Sequence, residues 1–244
     1  SIVNVPKLKR KYEHVIILED ACEGFLGKYE DKHVGTEALC SSISFFGNKS
    51  ITAGEGGALI TNDKNLYEYA KKLQGQGQSN IRYVHDDIGY NYRMTNVQAA
   101  ILYGHLEILP EIIAKKEKIF NSYKELLKDT PNVVMQQSTD DTKSSNWMIG
   151  VRIIGMNAPY YELENYFKDN DVEVRPMFYP MSKHSYLNHI SNPEEEVVAE
   201  ILSKECFMLP SYPELEEQDI EKIVNVLKSY AEKITWHIKK CMLL

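Results

Sequence analysis

Apolar and polar positions along this chain change their period several times, and each change marks a new element. Residues 7–11 are basic and helical in look, and they lead into His14-Val15-Ile16-Ile17-Leu18-Glu19-Asp20, a short apolar run ending in two acids. A continuous run of that length predicts a strand buried on both faces, as in a parallel α/β sheet. Its polar groups then fall at the carboxyl end of the strand, where such folds place ligands. Residues 41–46 and 57–61 predict two more strands around the glycine-rich turn Ala53-Gly54-Glu55-Gly56-Gly57, and residues 63–73 predict a helix.

Further along, Thr95-Asn96-Val97-Gln98 has the spacing of a capping box, and apolar residues at helical spacing follow it as far as Pro110. The proline is expected to kink or break the helix before a lysine-rich continuation to about residue 128. Residues 130–145 are polar and turn-prone. Beyond them the texture changes to a strand near 147–154, a helix over 160–167 and a strand near 172–175, the pattern of an α+β subdomain. Ile220, Ile223, Val224, Leu227, Ala231 and Ile234 form one apolar face of a closing helix.

Composition narrows the function classes. The 244 residues are 43% hydrophobic, enough to bury a core, and 28 basic against 35 acidic residues give a net charge of −7. That balance carries no electrostatic footprint for nucleic acid. No apolar run approaches the roughly 20 residues of a membrane helix, and Ser1-Ile2-Val3-Asn4-Val5-Pro6-Lys7 lacks the layout of a signal peptide, so a cytoplasmic protein with no membrane partner is expected. Cys22, Cys40, Cys206 and Cys241 are too widely spaced to suggest a disulfide framework or a zinc site. The first residue is Ser1, and strand-like mid-fold material follows within twenty residues, which points to a portion upstream.

Two positions stand out chemically. In Ser44-Phe45-Phe46-Gly47-Asn48-Lys49, a lysine lies just beyond a predicted strand and just before the glycine turn, a setting that suits a nucleophilic amine with a lowered pKa. A solvated loop lysine would look the same. Asp20, at the end of the first strand, suits a carboxylate set against a pyridine nitrogen, and equally a strand-end acid capping the next turn.

Asp20-Ala21-Cys22-Glu23, Ser44 to Lys49, Gly54-Glu55-Gly56-Gly57 and Gly89-Tyr90-Asn91-Tyr92-Arg93-Met94-Thr95 occur in the order of the signature blocks of a known family. Together with Arg175-Pro176-Met177-Phe178-Tyr179-Pro180 and Leu209-Pro210-Ser211-Tyr212-Pro213, they make the chain resemble the pyridoxal-phosphate-dependent nucleotide-sugar aminotransferases, the DegT family. Within it, the wording is similar to the perosamine synthase-like branch, which aminates carbon 4 of a 4-keto-6-deoxy sugar nucleotide.

The resemblance implies an α/β fold of the aspartate-aminotransferase type (fold type I). Residues 1–110 would be the latter part of a large domain with a mixed, mostly parallel seven-stranded sheet, and residues 111–244 a linking helix and a small α+β domain. It implies pyridoxal 5′-phosphate as cofactor, with Lys49 as the Schiff-base lysine and Asp20 as the pyridinium partner. Ser44 would bind the cofactor phosphate, Glu23 would lie near the phenolic oxygen, and Asn91 would reach the phosphate of a neighbouring subunit in a homodimer with shared sites. Its substrates would be L-glutamate and a nucleotide sugar. Some members of the family carry histidine in place of the lysine and are dehydratases; Lys49 argues against that reading here. Phe45 and Phe46 are expected in the core and Tyr90 and Tyr92 in packing roles, while Arg93 suits either a phosphate contact or a structural ion pair. Family members are longer, and the part upstream would hold the small-residue phosphate turn and the aromatic that stacks on the cofactor ring. The competing expectation is a non-catalytic, aminotransferase-like remnant or interaction module.

Overall fold

The computed structural model describes residues 2–187, 189 and 197–241, with the side chains of the last helix described through Trp236. In chain order the elements are α1 (Val5–Lys11), β1 (Leu18–Asp20), β2 (Lys28–Tyr29), β3 (Lys32–His33), β4 (Cys40–Ser44), β5 (Gly57–Thr61), α2 (Lys64–Gln74), α3 (Asn96–Glu107) and α4 (Leu109–Leu127). There follow β6 (Val133–Met135), β7 (Thr142–Lys143), β8 (Ile149–Ile153), α5 (Tyr160–Lys168), β9 (Arg175–Pro176), a 3₁₀ turn (Met181–Lys183), α6 (Val197–Glu205), β10 (Cys206–Leu209) and α7 (Glu217–Cys241). They divide into two compact units, residues 1–113 with 138–147, and residues 114–137 with 148–244.

The first unit holds a mixed sheet in the order β1-β4-β5, with β1 parallel and β5 antiparallel to β4. A second, antiparallel sheet runs β3-β2-β7. Local signals start the helices. Asn4 and Asp63 accept from the backbone N–H three residues on and so cap α1 and α2, and Thr95 and Gln98 form the capping box of α3. As the proline predicts, α3 stops at Glu107, and α4 restarts with Pro110 in its first turn at a 64° bend. Among the described residues no single helix is long and apolar enough to cross a membrane.

One expectation fails in this unit. The apolar run before Asp20 is not a strand buried on both faces: pairing begins only at Leu18, and Ile16 and Leu18 are exposed. β1 is an edge strand with β4 as its single neighbour, so burial that the run would have in mid-sheet is not supplied by the described residues. The core here is the small cluster of Ala21, Ile43, Phe45, Ile51, Ala53 and Ile112.

In the second unit the order β6-β8-β10-β9 forms an antiparallel sheet. β8 alternates, burying Ile149, Val151 and Ile153, while the inner strand β10 is buried at every position. Against them pack Tyr123 and Leu127 of α4, Leu163 and Phe167 of α5, and Ile220, Val224, Leu227 and Ala231 of α7. The predicted apolar face of the closing helix is thus the face that is buried. The strand expected near 172–175 shrinks to Arg175–Pro176, with Val172 and Val174 buried outside it. The polar stretch 130–145 also contains β6 and β7, which at three and two residues are too short to display an alternation.

Candidate active site

The site begins at the carboxyl end of β1. In the parallel register Asp20 lies opposite Ser42, and strand alternation turns Ser41, Ile43 and Phe45 into the core and Ser42 and Ser44 to the other side. Asp20 Oδ1 accepts from Ser42 Oγ and from the Cys22 backbone N–H, each at 3.1 Å. The Cys22 side chain and backbone, helped by Ser42 and the Lys49 charge, outweigh desolvation and hold the Asp20 carboxyl below its ordinary value. The same neighbourhood pushes the Cys22 thiol up, first by burial and then through its bond to Asp20.

The chain leaves β4 into a wound turn. Phe45 N–H donates to Gly56 O and Ala53 N–H to Phe45 O, both at 2.9 Å, and Lys49 N–H closes onto Phe46 O at 3.0 Å. Thr52 ties the turn down: its hydroxyl donates to Phe45 O at 2.8 Å, and its N–H donates to His105 Nδ1 on α3 at 3.0 Å. Two glycines are needed here. Gly56 has φ +128°, and a Cβ on Gly57 would stand 2.5 Å from Ile43 O. Phe45 is buried as expected. Phe46 is exposed, because the same alternation that sends Phe45 inward sends its neighbour out.

At the tip of this turn Lys49 Nζ donates to Glu23 Oε1 at 2.6 Å and lies 3.8 Å from the centroid of the Trp147 ring. The Trp147 indole N–H donates to Asn48 O at 2.8 Å. The Lys49 side chain is only 10% exposed, whereas that of Glu23 is 55% exposed. Such a half-open ion pair adds little to stability, about 0–1 kcal/mol. What it fixes is where the amine sits.

Asp20 and Ser44 therefore end the adjacent strands β1 and β4, and Glu23 and Lys49 lie on the turns that follow them; Ser42 and Cys22 hold Asp20, and Trp147 holds Lys49, though the sequence blocks do not mark these three as site residues. Ser42 could have been found from the parallel register. Trp147 carries no local signal, being about a hundred positions from its partner. Ser44 Oγ accepts from Phe46 N–H at 3.2 Å and keeps its own hydrogen to donate. Asn91 is exposed and bridges to Gly75 through its backbone, and no hydrogen bond joins it to the other four among the described residues. Tyr90 and Tyr92 stack on each other at 5.0 Å and remain exposed rather than packed in the interior. Arg93 is exposed as well and forms no ion pair among the described residues. No group of three or more metal-binding side chains occurs among the described residues. Cys22, Cys40 and Cys206 are free thiols, and the side chain of Cys241 lies outside the described residues.

Residues 2–228 match the DegT/DnrJ/EryC1/StrS aminotransferase family. The chain belongs to that family. It is 36% identical over 221 residues to a GDP-perosamine synthase of Escherichia coli O157:H7, covering 90% of this chain and 59% of that protein. It is 34% identical over 222 residues to a GDP-perosamine synthase of Vibrio cholerae, covering 89% and 60%. The chain thus spans about three fifths of the length of these DegT/DnrJ/EryC1/StrS relatives. Among solved structures, Helicobacter pylori PseC, an aminotransferase involved in the biosynthesis of pseudoaminic acid, superposes with a TM-score of 0.86 at 24% identity, covering 95% of this chain and 64% of that one. The likeness establishes the aminotransferase fold expected from the sequence blocks.

The donor set suits pyridoxal phosphate, the cofactor of this family. A nearly enclosed primary amine and an exposed carboxylate stand in one unit, and Asp20 accepts from Ser42 and Cys22 on Oδ1, which leaves Oδ2 for a protonated ring nitrogen. Ser44 adds a hydroxyl hydrogen on the same strand side.

Proposed function

We propose that this chain carries the cofactor lysine and its carboxylate partner in a pyridoxal phosphate-dependent aminotransferase, which moves an amino group from L-glutamate to the 4-keto group of a nucleotide-linked 4-keto-6-deoxy sugar. The observation that carries the reading is the pairing of an enclosed, charge-held Lys49 with an ionised Asp20 that has one oxygen to spare. Similarity to GDP-perosamine synthases at 34–36% identity supports the substrate class. On this reading residues 1–110 belong to the large cofactor-binding domain and 111–244 to the linking helix and the small domain, apart from residues 138–147, which return to the first unit.

Pyridoxal phosphate, when bound, supplies an electron sink for the carbanion beside the transferred nitrogen. Asp20 would keep the proton on the ring nitrogen, and Ser44 would donate to the phosphate. Lys49 Nζ, as the neutral amine, would take the proton from the α-carbon of the donor, becoming the ammonium, and in the second half of the reaction the ammonium would deliver one to carbon 4 of the sugar. Glu23 would lie near the phenolic oxygen and would hold the charged amine between these transfers, as it does here at 2.6 Å. The site would be completed in a homodimer, in which the exposed Asn91 reaches the neighbouring subunit's cofactor phosphate. The exposed Ile81, Tyr83, Ile88 and Tyr92 nearby in the chain are consistent with a covered face there.

The test offers the protein L-glutamate and a panel of nucleotide-linked 4-keto-6-deoxy sugars, and maps the cofactor after borohydride reduction. Lys49→Ala is expected to abolish both amine transfer and the visible absorption band while leaving the fold largely intact. Turnover retained by that variant, or an adduct on another lysine, would refute the assignment.

A further inference from the structure

Trp147 stands outside every sequence block that marks the cofactor lysine, yet its ring carries the Lys49 ammonium at 3.8 Å from its centroid. The ring is not loosely placed. Asn146 is buried with φ +50°, a left-handed conformation that asparagine tolerates well, and its N–H donates to Ser144 Oγ at 3.1 Å. The indole N–H is then anchored on the carbonyl of Asn48, the residue just before the lysine. Since the Lys49 side chain is largely withdrawn from solvent, the contact belongs to the desolvated class in which cation–π attraction is strongest. Glu23 takes the same amine on a second side.

We propose that Trp147 is a positioning residue, which together with Glu23 forms a seat for the Lys49 ammonium while that amine is detached from the cofactor. The inference rests on the reading of Lys49 as the cofactor lysine. Attachment forms a bond from Nζ to the cofactor's aldehyde carbon. The ammonium gives one proton to solvent, and the aldehyde oxygen leaves as water with the two other hydrogens. The seat serves the detached cation alone, so it opposes attachment and favours handing the cofactor to the amino donor. Removing the ring should therefore tighten attachment. Structural damage at the turn would loosen it, so the sign of the effect separates the two causes.

Pyridoxal phosphate is titrated into the chain and into its Trp147→Leu and Trp147→Phe variants, and attachment is quantified by borohydride reduction and mapping of the adduct. Trp147→Leu should attach the cofactor roughly threefold to thirtyfold more tightly, the range in equilibrium that a cation–π contact covers. Trp147→Phe keeps a ring but loses the anchor on Asn48, and it should fall between. Unchanged or weaker attachment in both variants overturns the seat. A second readout needs no cofactor: this chain has two tryptophans, so in a Trp236→Phe background the emission belongs to Trp147. Lys49→Met should shift that emission, and an unshifted spectrum also overturns the seat. An adduct on a lysine other than Lys49, or none at all, overturns the reading of Lys49 and with it the role of the seat. The emission result then still tells whether the ammonium rests on the ring.

Discussion

In the second unit Phe167, Phe207 and Leu227 have no exposure at all, whereas in the first Ile16 and Ile88 are 73% and 81% exposed. Every residue of the candidate site nevertheless lies in the first. Its functional side chains are placed by a strand register, a wound turn and a few hydrogen bonds, and the small cluster around Ile43 and Ile51 underlies them. The second unit has the opposite character, with edge-to-face contacts such as Phe167 against Phe207 at 5.5 Å and a face of α7 buried from Ile220 to Ala231. Tight packing and chemistry are thus served by different parts of the chain, and substitutions should separate them.

The largest effect should come from Phe207→Ala, which opens a cavity on β10, the inner strand of the second unit's sheet, and should cost about 3–5 kcal/mol in a denaturant titration. A cost below about 1 kcal/mol would mean that this core is far looser than its burial implies. Ile51→Ala probes the smaller cluster under the Lys49 turn, and about 2–3 kcal/mol is expected, toward the low end for such a truncation because fewer neighbours close over it.

Lys116 sharpens the comparison through pH. It is buried, its ammonium donates to Ser211 O at 2.5 Å and to Ser211 Oγ at 3.0 Å, and burial lowers its pKa from 10.5 to about 8. Between those values the unfolded chain binds more protons than the folded one, so stability should rise with pH through that window. The gain from roughly pH 7 to 9 should be about 1 kcal/mol, and Lys116→Met should abolish this part of the slope. A slope identical in the two proteins would rule out the buried ammonium as its source. The smallest effect belongs to Ile16→Ser, which should change stability by less than about 0.5 kcal/mol because the side chain is already in water. A larger loss would show that something covers the run before β1 in solution.

Much of this could be read in the sequence because the signals were local. The capping box at Thr95, the break before Pro110, the glycine turn after β4 and the apolar face of α7 each depend on residues a few positions apart. Lys49, Asp20, Glu23 and Ser44 were marked by the wording of short blocks. Features set by distant partners were not legible. Whether the run before Asp20 is covered depends on its neighbours in the sheet, and Ile16 and Leu18 carry no mark of an edge. Ser42 meets Asp20 only through a parallel register, and Trp147 meets Lys49 from the far side of α4 in the chain. Short strands such as β6 and β7 have too few residues to display a period at all.

The first unit is discontinuous in the chain: after α4 and β6 the polypeptide returns to supply residues 138–147, including β7 and Trp147. On a ribosome this sets a timetable. At the usual pace of synthesis, about 5–20 residues per second, Lys49 is made some 5–20 s before the tryptophan that will sit against it. Until then β2 lacks its partner β7, and the indole anchor on Asn48 does not exist. A nascent chain stalled anywhere between helix α3 and residue 142 would present the lysine turn without its aromatic floor, so the reactive amine acquires its final surroundings only once the ribosome has moved well into the second unit.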